Sequence, residues 1–337
     1  METRLLEATE AGIAEGARLL RAGELVGMPT ETVYGLAADA KNGAAVAGIF
    51  TAKGRPQDNP LIVHIAERSQ LASLVTDIPS AAVRLADVWW PGPLTMILPK
   101  AACIPDEVSA GLPTVAIRMP SHPVARALIR AAGPLAAPSA NLSGSPSPTT
   151  AAHVMADLAG RIAAVLDGGE SGVGLESTVV DMTGETPRLL RPGGITPEML
   201  RETAGTLEID DAVTHMLREG AVAASPGMKY KHYAPRVKVV LVKGSPVQYA
   251  AFVNRQADAA AMCFDGEEAA LDIPTVTYGR REHPEEQAHR LFDVLRRLDA
   301  LSVKTVYAAC PSMEGVGLAV YNRLLRAAGF EVIMLDE

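Results

Sequence analysis

The chain has 337 residues, a formal net charge of −8 at pH 7, and 48% hydrophobic against 21% charged residues. Its length favours two domains, its composition excludes a disordered chain, and its acidic balance argues against tight binding of duplex nucleic acid, which depends on neutralised phosphates. No apolar run approaches the roughly 18 residues of a membrane span, and the N-terminus lacks the pattern of a signal peptide, so we expect a cytoplasmic protein.

The three cysteines, Cys103, Cys263 and Cys310, are far apart and form no CxxC pair. They predict neither a zinc site nor a disulfide framework, and buried structural thiols are the default interpretation.

The first predicted elements flank two polar loops. Thr9 caps a predicted helix over residues 10–22, and a strand over residues 24–28 leads into the loop 29–36 (PTETVYGL). A second helix precedes the loop 53–61 (KGRPQDNPL), which enters an apolar strand. Loops held by rigid elements often carry binding groups. Hydroxyls, a carboxylate and two cations together indicate a phosphate-bearing ligand, although two solvated polar loops would give the same pattern.

Strands and helices are mixed, and do not alternate cleanly, through the rest of the first two hundred residues. Predicted strands cover residues 61–65, 94–98, 114–118, 135–137, 163–166, 179–181 and 187–191, with helices at 43–52, 80–89, 123–133, 150–158 and after Thr196. This mixture predicts an α/β domain over residues 1–205 with an open, twisted sheet of partly antiparallel strands. No glycine-rich segment has the spacing of a dinucleotide fingerprint or a P-loop.

The composition changes after residue 205. Residues 206–236 form a predicted linker, and its segment 225–235 (SPGMKYKHYAP) carries two tyrosines, two lysines and a histidine. An inert linker would favour small polar residues, so we expect this segment to contact another part of the molecule or a ligand. Strands and helices then alternate through residues 237–337, which predicts a smaller, Rossmann-like parallel α/β domain.

Four cations stand at the ends of predicted elements in the first domain: Lys53, Arg55, Arg118 and Arg191. Such groups can converge on phosphates and a carboxylate, with arginine binding oxyanions through two hydrogen bonds and lysine acting as a point charge. Four unrelated surface charges are the alternative. Neutral hydrogen-bonding groups for a ribose or phosphate come from a Ser/Pro-rich loop, whose polar residues also suit ordinary turns: Ser139, Asn141, Ser143 and Thr149.

Other polar residues give weaker signals. His64 lies in an apolar strand, where it either is a satisfied core residue or closes a pocket wall. No second ligand stands at metal-binding spacing, and no nucleophile and base pattern indicates covalent catalysis. Glu31 and Glu176 could hold Mg²⁺ through water, although loop carboxylates are common.

Taken together, the polar segments carry a family resemblance. Residues 29–36 (PTETVYGL), 53–56 (KGRP), 139–144 (SANLSG), 175–179 (LESTV) and 190–193 (LRPG) occur in this order. The chain thereby resembles the YrdC-type threonylcarbamoyl-AMP synthase family, and the segment 225–235 with the α/β tail resembles that family's long, two-domain form. The resemblance covers essentially the whole chain. Ala37, where many members have a second glycine, is a small departure.

The resemblance implies a nucleotidyltransferase that makes L-threonylcarbamoyl-AMP and pyrophosphate from L-threonine, bicarbonate or CO2, and ATP with Mg²⁺. The product would pass to a tRNA threonylcarbamoyl transferase complex, with weak or indirect tRNA binding by this chain. Matched position by position, the threonine site would comprise Thr32, His64, Arg118, Ser139 and Ser177, with Arg118 on the carboxylate. The ATP site would comprise Arg55, Asn59, Thr114, Asn141, Thr149, Arg191 and Tyr233.

The resemblance also implies that Lys53 lies against the phosphates and acts with Arg55 as a catalytic pair. Because a carbamate is labile in water, we expect residues 225–235 to act as a lid over the site.

Two alternative functions stay open. One is an RNA-binding module with a basic concave surface, against which the net charge and the absence of an aromatic stacking motif weigh. The other is a transferase that uses carbamoyl phosphate and needs no threonine.

Overall fold

The computed structural model describes residues 2–215 and 232–335, and these residues form two α/β units. The first unit contains a mixed sheet of 11 strands and the second a parallel sheet of five strands, as the sequence predicted. Of the predicted lid, residues 225–231 lie outside the described residues. Within the described ranges, no helix combines the length and the apolar character needed to cross a membrane.

The strands of the first sheet are β1 Arg4–Glu7, β2 Val26–Met28, β3 Gly35–Asp39, β4 Ile62–His64, β5 Leu94–Pro99, β6 Thr114–Arg118, β7 Leu135–Ala136, β8 Ala164–Asp167, β9 Thr178–Asp181, β10 Arg188–Arg191 and β11 Glu208–Ile209. Their order across the sheet is β1-β8-β2-β3-β7-β4-β6-β5-β9-β10-β11. The centre mixes directions, because β6 runs parallel to β4 but antiparallel to β5. The sheet therefore extends beyond residue 205, since β11 pairs with β10.

The helices of the first unit are α1 Glu10–Arg21, α2 Gly43–Lys53, α3 Ser80–Trp89, α4 Asp106–Ser109, α5 Pro123–Ala132, α6 Ala151–Leu158 and α7 Pro197–Ala204, with 3₁₀ turns at Arg68–Ser73 and Asp211–Val213. Their ends follow local chemistry. The Thr9 hydroxyl accepts the Gly12 N–H at 3.2 Å and caps α1, as predicted. Gly54 ends α2 with φ of 61°, in the left-handed region that glycine adopts without strain.

The two faces of the central strands differ in chemistry. Val63, Val115 and Ile117 point into the main hydrophobic core, where α2 and α3 also bury their apolar residues. Because successive side chains alternate between the faces of a strand, their neighbours Ile62 and Ala116 fall on the opposite face, in a small apolar cluster. His64 and Arg118 follow on that same face, at the ends of β4 and β6. This face of the sheet thus carries polar residues at the strand ends, next to a small apolar cluster.

The second sheet contains β12 Lys238–Lys243, β13 Ala259–Cys263, β14 Thr275–Thr277, β15 Thr305–Ala309 and β16 Val332–Met334, in the order β14-β13-β15-β12-β16. All four strand pairings are parallel. Its helices are α8 Pro246–Val253, α9 Pro284–Leu298 and α10 Val316–Ala327, with a 3₁₀ turn at Glu268–Ala270. The buried strand residues, such as those of β13, read as a continuous apolar run because helices cover parallel sheets on both faces.

Helices α9 and α10 join the second unit to the first. Arg296 pairs with both carboxylate oxygens of Asp157 at 3.0 and 2.8 Å, and Asn322 donates to the Val213 carbonyl at 2.6 Å. Gly174 lies so close to α9 that a Cβ there would stand 2.5 Å from the Cα of His289. The two units therefore share a packed interface that reaches the loop carrying Glu176.

Candidate functional site

A cavity lies on the polar side of the central strands and encloses about 600 Å³ of space, part of it open to solvent. Its wall is formed by residues from seven separate stretches of the first unit and by the start of the second: Thr30, Thr32, Val33, Gly35, Arg55, Ile62, His64, Arg118, Ala137, Pro138, Ser139, Glu176, Ser177, Arg191, His232 and Tyr233. All five residues assigned to threonine by resemblance, and Arg55, Arg191 and Tyr233 from the nucleotide set, thus come together.

Arg118 is the most constrained cation of the cavity. It is buried, Nη1 donates to the Thr32 hydroxyl at 2.8 Å, and Nη2 lies 2.7 Å from Glu31 Oε1 as an ion pair without hydrogen-bond alignment. The Thr32 hydroxyl is itself 2.9 Å from that of Thr30. A guanidinium held in this way presents a fixed charge, and a ligand carboxylate would share it with Glu31.

His64 lies beside Arg118 because the two residues are register partners on parallel strands. Its Nδ1 is 3.2 Å from the Ile62 carbonyl. Burial, and after it the charge of Arg118, lowers the pKa of His64 to about 3. The imidazole is therefore neutral at physiological pH and serves as a polar wall of the cavity, one of the two roles predicted for it.

Ser177 and Arg191 form a second fixed group. The Ser177 hydroxyl is 2.7 Å from the Thr95 hydroxyl, while Arg191 donates from Nη2 to Ser177 Oγ at 3.1 Å and from Nε to Ser177 O at 3.0 Å. The two chain segments touch at Gly193, where a Cβ would lie 2.4 Å from the Thr178 nitrogen. Burial lowers the pKa of Arg191 to about 10, so the guanidinium stays charged at neutral pH.

Lys53 and Arg55 differ in their surroundings. The sequence placed both in the loop 53–61, and for Lys53 this was wrong: it is the last residue of α2 and is 3% exposed. Its ammonium donates to the carbonyls of Ser139 and, at 2.6 Å, Asn141, and it does not line the cavity. Arg55 lines the cavity and donates from Nη2 to the Asn59 carbonyl at 3.1 Å.

The remaining nucleotide candidates, Asn59, Thr114, Asn141 and Thr149, are not part of the cavity wall. Thr114 stands at the opposite end of β6 from Arg118, on the same face. The side-chain oxygens of Asn59 and Asn141 are buried without a hydrogen-bond partner among the described residues. Unpaired buried acceptors are costly, and donors of a bound ligand would satisfy them. Thr149 is buried with its N–H 3.3 Å from His153 Nδ1.

Both carboxylates considered for magnesium already have partners within the protein. Glu31 pairs with Arg118, and Glu176 accepts the Ser147 hydroxyl on one oxygen and Arg323 Nε on the other at 3.0 Å. Among the described residues, no group of three His, Cys, Asp or Glu side chains could hold a metal ion. These contacts do not fit a resident metal site, so Mg²⁺ would enter with a triphosphate as part of the substrate.

Two residues that shape the site were not found from the sequence. Thr95 lies within a strand and looked like an ordinary strand residue, and Arg323 lies on α10 of the second unit, far away in the chain. Arginine in an otherwise apolar helical segment (VYNRLLRAA) was the only available signal for Arg323.

Comparison with known proteins agrees with the geometry. The family model described as "Telomere recombination" (Sua5, YciO and YrdC) matches residues 18–193, and the model described as "Threonylcarbamoyl-AMP synthase, C-terminal domain" matches residues 195–329. The Bacillus subtilis threonylcarbamoyl-AMP synthase is 48% identical, over 97% of this chain and 96% of that protein. The Pyrococcus abyssi synthase is 44% identical, over 94% of each chain.

A solved structure extends this likeness to three dimensions. The structure of Pyrococcus abyssi Sua5 complexed with L-threonine superposes with a TM-score of 0.91, at 41% identity, and covers the whole of both chains. Both domains and their order are therefore shared. The chain belongs to the Sua5-type, two-domain family of threonylcarbamoyl-AMP synthases.

Proposed function

We propose that this chain condenses L-threonine, bicarbonate or CO2, and ATP into L-threonylcarbamoyl-AMP and pyrophosphate, as a source of the threonylcarbamoyl group for tRNA modification. The observation that carries the proposal is the convergence of Thr32, His64, Arg118, Ser139 and Ser177 on one cavity beside two further arginines. Relatives named threonylcarbamoyl-AMP synthase, one of them solved with L-threonine, support it.

The cavity suits a small amino acid at its inner end. Arg118 would bind the carboxylate of threonine, and the hydroxyls of Thr32, Ser139 and Ser177 would orient its amine and side-chain hydroxyl. The neutral imidazole of His64 adds a polar contact without a second positive charge. Such a fixed set of groups lowers the entropic cost of bringing the amine to CO2.

The two steps are chemically simple. The neutral amine of threonine attacks CO2 and loses a proton to give a carbamate. A carbamate oxygen then attacks the α-phosphorus of ATP, and the bond to the β-phosphate oxygen breaks to release pyrophosphate. Phosphoryl-type transfer relies mainly on positioning and on charge stabilisation. Arg55 and Arg191, both in the cavity wall, are the groups we assign to the phosphates, with Mg²⁺ accompanying ATP.

Protection of the carbamate from water is the role we propose for the start of the second unit. Tyr233 is 5% exposed and lines the cavity together with His232. Removing the Tyr233 side chain should raise the KM for ATP or increase ATP cleavage that is not coupled to product. Unchanged kinetics in Tyr233→Ala would remove this role.

The decisive experiment incubates the purified chain with ATP, Mg²⁺, bicarbonate and threonine in the absence of RNA. We expect threonine-dependent release of pyrophosphate and an AMP adduct with the mass of threonylcarbamoyl-AMP. Retention of tRNA without this adduct would favour an RNA-binding module. AMP release with carbamoyl phosphate in the absence of threonine would favour the carbamoyl-phosphate transferase.

A further inference from the structure

Arg323 is a charged residue in the middle of α10, and its side chain is 0% exposed. It belongs to the second unit, yet it lies against the loops of the first unit that carry the cavity wall. A fully buried guanidinium is costly unless its donors are matched by acceptors. The identity of those acceptors therefore indicates what the residue is for.

The guanidinium binds two chain segments of the first unit at once. Nε donates to Glu176 Oε2 at 3.0 Å and Nη2 to the Glu176 carbonyl at 3.1 Å, while Nη1 donates to the Pro192 carbonyl at 2.6 Å. A fourth contact, from Nη1 to Asn322 Oδ1 at 3.1 Å, lies within α10. Only the planar fork of arginine spans such a set of acceptors.

Each of the two segments carries a residue of the cavity wall next to the atoms that Arg323 holds. Glu176 precedes Ser177, and Pro192 follows Arg191. Ser177 and Arg191 are in turn bonded to each other, at 3.0 and 3.1 Å. Arg323 thus binds the two loops whose neighbouring residues, Ser177 and Arg191, meet in the cavity wall.

The charge of Arg323 also bears on Glu176. Burial alone would raise the pKa of the Glu176 carboxyl, but Arg323 and then Arg191 outweigh it and hold the pKa below its ordinary value. The carboxylate therefore stays ionised and accepts the Ser147 hydroxyl on its second oxygen. This bond ties a third loop, the one that carries Asn141 and Thr149, into the same network.

We infer that Arg323 of the second unit is a positioning residue of the active site, which sets the placement of Ser177 and Arg191 by holding the backbone of Glu176 and Pro192. The inference rests on the proposed function. It gives the C-terminal unit a part in the reaction beyond packing. A residue that only joined the two units would stabilise the interface without affecting the kinetic constants.

The test compares Arg323→Met and Arg323→Lys with Arg296→Met in the full chain. Arg296 offers a control, because it also joins the units, through part-buried hydrogen bonds to Asp157 and to the Pro146 carbonyl, but contacts neither Glu176 nor Pro192. For Arg323→Met we expect kcat/KM for threonine to fall about 10- to 100-fold, the range in which misplaced groups reduce rates. For Arg323→Lys we expect a kcat/KM between those of the wild type and Arg323→Met, because an ammonium keeps the charge but does not span both carbonyls.

Hydrogen exchange separates positioning from general stability. Amides of residues 175–178 and 190–193 should exchange faster in Arg323→Met than in Arg296→Met. Thermal unfolding of both variants measures any difference in overall stability. Equal kinetic constants and equal local exchange in the two variants would overturn the inference. If Arg323→Met does not fold, Arg323→Lys decides in the same way. Failure of the wild type to form the AMP adduct would refute the proposed function alone, since the exchange experiment needs no turnover.

Discussion

The two ends of the cavity differ in how far the protein has arranged them in advance. At the end assigned to threonine, Arg118 donates to the Thr32 hydroxyl and forms an ion pair with Glu31, whose carboxylate oxygens accept no hydrogen bond from the described residues, and Ser177 is bonded to Thr95 and Arg191. At the end assigned to the nucleotide, Asn59 and Asn141 each bury an oxygen that has no partner among the described residues.

The reason for the difference lies in the supporting elements. Residues at the ends of β4 and β6 inherit the rigidity of a paired sheet, so their side chains are fixed without ligand. Arg55 and Asn59 stand in the connection between α2 and β4, where fewer ladder hydrogen bonds hold the chain. We expect substitutions at the threonine end to disturb a preformed network, and those at the nucleotide end to weaken binding of ATP.

Removal of the Arg118 charge should have the largest effect. In Arg118→Leu the threonine carboxylate loses its partner and Glu31 loses its ion pair, so kcat/KM for threonine should fall by about 100-fold or more. ATP binding, followed by calorimetry, should change little. Arg130→Leu removes an exposed arginine paired with Glu67 and is the control. A threonine KM equal to that of the wild type in Arg118→Leu would refute the assignment.

Arg55→Ala tests the other end. We expect the KM for ATP to rise about tenfold or more, because a charge-assisted contact to the phosphates is lost. Threonine binding and thermal stability should be close to the wild type, since Arg55 donates to the Asn59 carbonyl in its own loop and lies over the ring of Phe50, which is also nearby in the chain. A large loss of stability with an unchanged KM for ATP would show that Arg55 is structural.

Lys53 extends the comparison of the two ends, because its side-chain nitrogen donates to two backbone carbonyls. Lys53→Met should leave the carbonyls of Ser139 and Asn141 unpaired and lower the free energy of unfolding by about 2–3 kcal/mol. Denaturant unfolding measures this loss. The family resemblance instead implies contact with the phosphates, and that role requires a raised KM for ATP without loss of stability.

The pH dependence of stability gives the most gradual effect, spread over several pH units. Burial, and next Arg118, lower the pKa of His64 from 6.5 to about 3. Below pH 6.5 the unfolded chain takes up a proton that the folded chain does not, so this contribution is complete above pH 6.5 and is lost as the pH falls toward 3. Its slope is at most about 1.4 kcal/mol per pH unit.

The matched variants for this slope are His64→Gln and the half-exposed control His289→Gln. Denaturant unfolding between pH 4 and pH 6, inside the window set by the two pKa values, should be less dependent on pH in His64→Gln than in the control. Equal slopes in the two variants would mean that His64 is charged in the folded protein.

Local patterns predicted most of the elements that position the site. Apolar runs marked β4 and β6, and the polar residues at their ends identified His64 and Arg118. Three strands were not predicted, and one of them is the two-residue edge strand Glu208–Ile209. The edge strand Arg4–Glu7 is largely exposed and shows no alternation, and Gly35–Asp39 lies in a stretch rich in alanine and glycine that read as part of a loop.

Long-range packing explains what the sequence did not reveal. The burial of Lys53 depends on the loop 138–149 folding over the end of α2, and no local pattern encodes that contact. The role inferred for Arg323 depends on docking of α10 against residues that precede it by more than a hundred positions. Such contacts follow from tertiary structure, which local propensity does not determine.

A crystal structure of the chain with L-threonine and a non-hydrolysable ATP analogue tests the central claim most directly. The account predicts the threonine carboxylate within hydrogen-bonding distance of the Arg118 guanidinium, and the triphosphate against Arg55 and Arg191, with the Arg118, Ser177 and Arg191 side chains placed as they are here. Threonine bound away from Arg118, or a cavity wall that assembles only after the ligands bind, would contradict it.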